Sequence, residues 1–218
     1  MERLFIEGRY EGNLNPDKID TGSLPSKIGL FTTVQYVGFL EKIKEHLEKE
    51  SKTVKLYKLS HYEGQVLGCS IKKIEGVEGI LYVGDGSFHP IALGIENDIP
   101  VYIFNPINEK FFLQDKEVIE RIKRKQKAAI ASFFSSENIG VLVSLKEGQL
   151  NTKYINELKE RFPEKRYYEL VFDTLDFGQL ENFPFIQCFV NTSCPRITHD
   201  DYEKFQKPIV EASKILEY

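Results

Sequence analysis

The sequence of 218 residues contains no tryptophan, one methionine and three cysteines. Three cysteines, two of them only six residues apart, make no disulfide framework. With no C-x-x-C spacing, a zinc ribbon or a thioredoxin-like site is not expected either. No apolar run approaches the roughly 20 residues of a membrane-spanning helix. Nor does a charged start followed by an apolar stretch mark a signal peptide. The chain is therefore expected to be cytoplasmic, without a membrane partner. A formal net charge of −4 and an isoelectric point near 5.7 leave no basic footprint for nucleic acid. What remains is 41% hydrophobic and 28% charged, an ordinary globular balance. Sixteen Phe and eleven Tyr give the core an aromatic character.

The length permits one large domain or two small ones. Apolar stretches of strand length alternate with helical patterns. "RLFIEG" is followed by a loop with Gly, Asn and Pro at 11–26, and "KIGLFTT" then reads as a buried strand. In "VQYVGFLEKIKEHLEKE", Val37, Leu40, Ile43 and Leu47 fall at helical spacing between charged residues. "TVKLYKL", "GILYVG" and "PVYIFNP" read as further strands. The stretch 108–134 predicts one long helix capped near Asp115. A second cycle follows: strand "IGVLVS", helix "NTKYINELKERFP" with Asn151 as N-cap, strand "KRYYELVF" and strand "FIQCFVNTS". The expected fold is α/β, with two similar lobes at 1–110 and 111–218, each a mostly parallel sheet flanked by helices.

Ligands of open α/β sheets bind on loops at the carboxyl ends of strands. Four such loops are polar or rich in glycine: "FTTVQ", "VGDGSFHP", "SLKEGQLN" and "TSCPRITHDD". If the strand ends of the two lobes face each other, the four share a crevice. Each also has a plain structural reading. The glycines of "GDGS" suit a tight turn into a helix, or backbone N–H groups that hold an anion. His89 reads as a structural histidine or a ligand, and Lys146 and Gln149 as solvated loop residues.

The cysteines differ in setting. In a strand running from 186 to 194, Cys188 and Cys194 lie on one face, about 20 Å apart at 3.3 Å per residue. That is too far for a disulfide or for one small cluster. Cys188, among Phe185, Ile186 and Phe189, reads as a small core residue. Cys194, beside Pro195 and Arg196, sits where a thiolate can be exposed, and Cys69 follows Gly68 in another loop.

"GQVLGCS", "YVGDGSFHPIAL", "VSLKEGQL" and "FPFIQCFVNTSCPRITHDDYEKFQKPIV" occur in that order. Together with "IGLFTTVQYVGFLEKIKEHLEK" and "INELKERF", they resemble the diphthamide synthase family, the 2-(3-amino-3-carboxypropyl)histidine synthases. The resemblance spans nearly the whole chain. It implies three α/β domains per family member, each giving one cysteine to a [4Fe–4S] cluster. The cluster binds S-adenosylmethionine at its fourth iron and releases a 3-amino-3-carboxypropyl radical, which adds to a histidine of elongation factor 2. This chain matches the second and third domains, so the resemblance implies Cys69 and Cys194 as metal ligands and Cys188 as no ligand. Nothing corresponds to the first domain, and its cysteine is expected from a partner chain or an oligomer. Thiolates and one open iron suit such a cluster. Gln149, Arg196 and the "GDGS" backbone, with Gly84 and Ser87, are expected to hold the aminocarboxypropyl end of the cofactor. His89 joins them as a candidate. Asp200 either binds the ammonium, orients Arg196, or caps a helix at "YEKFQ".

The leading expectation is an aminocarboxypropyl-transferring enzyme, or a subunit of one, completed by a partner. Its rival is an accessory or electron-relay subunit with a degenerate cluster site. A weaker third reading is a small-ligand binding module without metal.

Overall fold

The computed structural model describes residues 6–199, of His199 the backbone only, and 204–218. It divides into two compact units, Met1–Ile119 and Glu120–Tyr218. The division falls inside the helix Lys116–Ser135.

The first unit is built on a five-stranded sheet. Its elements are β1 (Lys27–Thr32), α1 (Leu40–Lys49), β2 (Thr53–Lys55), β3 (Gly79–Val83), α2 (Phe88–Glu96), β4 (Val101–Asn105) and β5 (Lys110–Leu113). In β1 every residue after Lys27 is buried, because the sheet is covered on both faces. Ile28, Leu30, Leu81 and Val83 pack toward Ile43 and Leu47 of α1. Phe31, Ile80 and Tyr82 alternate with them and pack toward Leu93 of α2 and Val66. The strand order is β2-β1-β3-β4-β5. The first four strands are parallel, and β5 joins β4 antiparallel. The order reverses between β1 and β3, the place where such sheets open a crevice.

One expectation is corrected in this unit. Residues 110–113 do not begin the long helix. The side chain of Asn105 accepts the N–H groups of Ile107 (2.9 Å) and Asn108 (3.4 Å), and Glu109 takes a φ of 53°. This turn lays Phe111 back over Tyr102, their rings 5.9 Å apart and nearly parallel. The helix, α3, therefore starts only at Lys116 and ends at Ser135. Its start is capped as expected, the Asp115 carboxylate accepting the Glu117 N–H at 2.8 Å. The described part of "RLFIEG", residues 6–8, forms no regular element, and residues 3–5 lie outside the described residues.

The second unit carries β6 (Asn138–Ser144), α4 (Thr152–Arg161), β7 (Arg166–Phe172), β8 (Cys188–Asn191), α5 (Arg196–His199), β9 (Ile209–Glu211) and α6 (Ala212–Leu216). Its sheet has the order β7-β6-β8-β9 and is parallel throughout. Ile139, Val141, Val143 and Val190 face Phe133 of α3 and Ile155 and Leu158 of α4. Leu142 and Phe189 face Leu180 and Ile186 on the other side. Asn151 occupies the N-cap of α4, but its side chain makes no capping bond. The strand read through to Cys194 ends at Asn191, so the straight-line spacing of Cys188 and Cys194 does not apply. Counted from the first strand of each unit, the parallel strands of both sheets run second-first-third-fourth. Among the described residues, no helix is long and apolar enough to cross a membrane.

Candidate functional site

In the first unit, the loops after β1 and β3 flank the reversal of strand order. A third segment joins them. Gln65 forms a parallel bridge to Thr32 at the end of β1. Thr32 donates its N–H to the Gly64 carbonyl (2.8 Å), and Val66 donates to the Thr32 carbonyl (2.9 Å). Gly64 has a φ of 72°, and a Cβ there would lie 2.6 Å from Leu40 and 3.2 Å from the Leu30 carbonyl oxygen. Only glycine fits at this point.

The bridge delivers Cys69. Directly after it, Leu67–Ser70 forms a turn in which Ser70 donates its N–H to the Leu67 carbonyl at 2.9 Å. The Ser70 hydroxyl accepts the Leu67 N–H at 3.0 Å. Gly68 and the exposed Cys69 are the two central residues. A Cβ on Gly68 would lie 2.3 Å from the ring of Phe88, the first residue of α2. The cysteine turn is thereby packed against the start of the helix that follows Gly84-Asp85-Gly86-Ser87.

That loop is itself tied down. Gly84 is buried and donates its N–H to the Phe104 carbonyl at 3.0 Å. Gly86 has a φ of 74°, a conformation that favours glycine. Ser87 is exposed, and its side chain makes no cap bond to α2. His89 is half-buried, with Nδ1 3.4 Å from the Tyr82 hydroxyl and its ring stacked on Tyr82 at 5.8 Å. Burial first, then the charge of Asp85, hold the Tyr82 phenol far above its ordinary range. The same two causes, in the same order, raise Tyr36. Both phenols stay protonated as hydrogen-bond donors. The Thr33 hydroxyl, one residue past β1, is buried with no partner among the described residues.

In the second unit, the loop after β8 carries Cys194. The Asn191 side chain accepts the Ser193 N–H at 3.0 Å and donates to the Cys194 carbonyl at 2.9 Å. Ser193 accepts the Ser144 N–H at 2.9 Å through its hydroxyl, and the Thr192 hydroxyl donates to the Leu142 carbonyl at 2.9 Å. The loop is thus stitched to the end of β6, leaving Cys194 partly exposed. Arg196, exposed, is the first residue of α5. Gln149 is half-buried and closes a turn on the Lys146 carbonyl at 3.0 Å, with Gly148 at a φ of 77°. Asp200 lies outside the described residues.

Cys188 is fully buried, and burial pushes its thiol up to about 12. It is a poor ligand. Cys69 and Cys194 are the thiols within reach of a ligand. Among the described residues, no group of three His, Cys, Asp or Glu side chains stands together to hold a metal ion. In donor chemistry, two accessible thiols suit an iron–sulfur cluster, in part.

Sequence reasoning did not single out Asn191, Thr33, Tyr36 or Tyr82. For Asn191 a signal existed, since Asn two residues before Ser193 at a strand end is an Asx-turn pattern. For the other three there was none, because their placement depends on strand order.

Residues 13–215 match the model of the family described as "Putative diphthamide synthesis protein". The chain is 35% identical to a 2-(3-amino-3-carboxypropyl)histidine synthase of Pyrococcus horikoshii, over 88% of this chain and 57% of the relative. To subunit 1 of that synthase from Encephalitozoon cuniculi it is 30% identical, over 84% of this chain and 54% of the relative. A crystal structure of Dph2 from Pyrococcus horikoshii with a 4Fe-4S cluster superimposes with a TM-score of 0.75 at 31% identity, covering 89% of this chain and 57% of that one. The chain thus spans little more than half the length of these relatives. Because the family match runs from the loop before β1 into α6, through both units, the chain belongs to the diphthamide synthesis family.

Proposed function

We propose that this chain takes part in transfer of a 3-amino-3-carboxypropyl group from S-adenosylmethionine to a histidine of elongation factor 2, with Cys69 and Cys194 as ligands of a [4Fe–4S] cluster. One observation carries the reading. Of three thiols, the two on loops at carboxyl ends of strands are accessible, and the third is buried with a raised pKa. Likeness to a Dph2 that holds a 4Fe-4S cluster supports the same assignment. When bound, such a cluster supplies the electron for S–C bond cleavage. The chain's own share is to bind and orient. Gln149, Arg196 and Asp200, with the Gly84–Ser87 backbone and His89, are the residues proposed to hold the cofactor's amino and carboxylate groups.

The family resemblance calls for three cysteine ligands, and beyond Cys69 and Cys194 a third is proposed to come from a partner chain or a further copy. The rival reading is an accessory or electron-relay subunit with a degenerate cluster site, favoured by the absence, among the described residues, of three metal-ligating side chains standing together. Anaerobic reconstitution with iron and sulfide of the chain together with the proteins that co-purify with it, followed by reduction in the presence of S-adenosylmethionine, separates them. A brown preparation that produces methylthioadenosine contains a catalyst, and a brown one that does not contains an accessory. A preparation that stays colourless and iron-free with its partner present contradicts both.

A further inference from the structure

We propose that Asn191 is a positioning residue for Cys194, a role that rests on the reading of Cys194 as a cluster ligand. Asn191 is the last residue of β8 and is 3% exposed. Its amide group works at both ends. The oxygen accepts the Ser193 N–H at 3.0 Å, closing an Asx turn that stops the strand. The nitrogen donates to the Cys194 carbonyl at 2.9 Å. A buried amide must satisfy donor and acceptor together, and only this arrangement of the turn does so.

The Cys194 carbonyl has a second donor, the Ile197 N–H at 3.1 Å. With the Ser193 hydroxyl on the Ser144 N–H, the backbone around Cys194 is held by Asn191 at the end of β8, Ser144 at the end of β6 and Ile197 of α5. The thiol is left as the loop's accessible functional atom. Ligation through a short side chain demands a fixed Cα, since rotation about Cα–Cβ is the one torsion that moves Sγ. Removing the Asn191 amide unfixes that Cα while leaving the sheet in place. Serine at 191 keeps a weaker turn on Ser193 but is too short to reach the Cys194 carbonyl.

The chain reports on itself through its three cysteines. The metal-free full chain is treated with iodoacetamide, and each cysteine peptide is followed by mass spectrometry in wild type, Asn191→Ala and Asn191→Ser. Loss of an ordinary buried hydrogen bond opens a loop about tenfold more often, but Cys194 is already partly exposed, so in Asn191→Ala it is expected to react roughly three- to fivefold faster. In Asn191→Ser its rate should lie between wild type and Asn191→Ala. Cys69, in the other unit, is expected to keep its rate. Cys188, three residues upstream and buried, is expected to stay slow. If Cys188 speeds up together with Cys194, Asn191 merely supports the fold, and a Cys194 rate within about twofold of wild type in both variants equally overturns the proposal. A parallel anaerobic reconstitution reads iron per chain and the electron paramagnetic resonance spectrum of the reduced cluster. If the wild type forms a cluster, a spectrum and iron content unchanged in Asn191→Ala overturn the role. If the wild type forms none on its own, the thiol rates alone decide whether Asn191 fixes Cys194.

Discussion

The Cys69 turn and the Cys194 loop present the same functional group by different physics. Cys69 is held mainly by packing: a glycine bedded on the Phe88 ring, with one serine hydroxyl closing the turn. Cys194 is held by polar bonds, from Asn191 to its own carbonyl and from Ser193 and Thr192 to the end of the neighbouring strand β6. They also occupy different places in sheets of the same strand order. Cys69 lies in the connection between the second and third strands of its unit, and Cys194 follows the third strand of its own. Equivalent chemistry does not require an equivalent position. It requires a backbone brought to the carboxyl end of a parallel sheet and fixed there.

The largest expected effect separates both loops from Cys188. Burial moves this thiol from 9.0 to about 12, which cuts its thiolate fraction on the order of a thousandfold. At neutral pH, alkylation of Cys188 should be at least about a hundredfold slower than that of Cys69 or Cys194. Equal rates at all three positions would erase the contrast.

Stability should show the same group at alkaline pH. The folded pKa of Cys188 lies above its ordinary value, so the neutral thiol's contribution is complete below pH 9 and is lost as pH rises toward 12. Each unit of pKa difference is about 1.4 kcal/mol, and the loss over this range is therefore on the order of 4 kcal/mol. Urea titrations at stepped pH measure it. Cys188→Ala should remove this share of the alkaline loss, leaving that of the phenols raised by burial, Tyr82, Tyr36 and Tyr167, and leave iron uptake unchanged.

Next in size is the packing of the Cys69 turn. Gly68→Ala drives a methyl group into Phe88, and overpacking of this kind costs about 1–3 kcal/mol. Melting should fall, and the reactivity of Cys69 should change while that of Cys194 does not. The smallest effect is expected for Ser70→Ala, which removes the hydroxyl's two contacts with Leu67, to its N–H and its carbonyl, while the backbone bond of the turn stays, a loss of about 1 kcal/mol. Hydrogen exchange at the Leu67 amide reads it directly. If Ser70→Ala outweighs Gly68→Ala, the Cys69 turn is held by its hydrogen bond and not by packing.

Much of the fold could be read from local pattern. "KIGLFTT" is apolar on both parities because β1 is covered on both faces, and the spacing of Leu40, Ile43 and Leu47 marks α1. What was missed depended on partners distant in sequence. "KFFL" suits a helix as well as a strand until the Asn105 turn returns it to β4. β9 is only three residues long and exists by pairing with β8. At the site, the residue types at 69 and 194 were legible because cysteines are few. The bridge from Gln65 to Thr32 that delivers Cys69 left no sequence signal. The Asx turn that ends β8 did leave one, but the apolar run of "FIQCFVNTS" masked it.

The central claim is that Cys69 and Cys194, and not Cys188, ligate an iron–sulfur cluster. Iron and acid-labile sulfide per chain after anaerobic reconstitution, compared across wild type, Cys188→Ala, Cys69→Ser and Cys194→Ser, test it most directly. Wild type and Cys188→Ala are expected to take up equal amounts, and each serine variant at most about half as much, because each loses one of two thiolate ligands. Undiminished iron in both serine variants, or its loss on replacing Cys188 alone, would contradict the account.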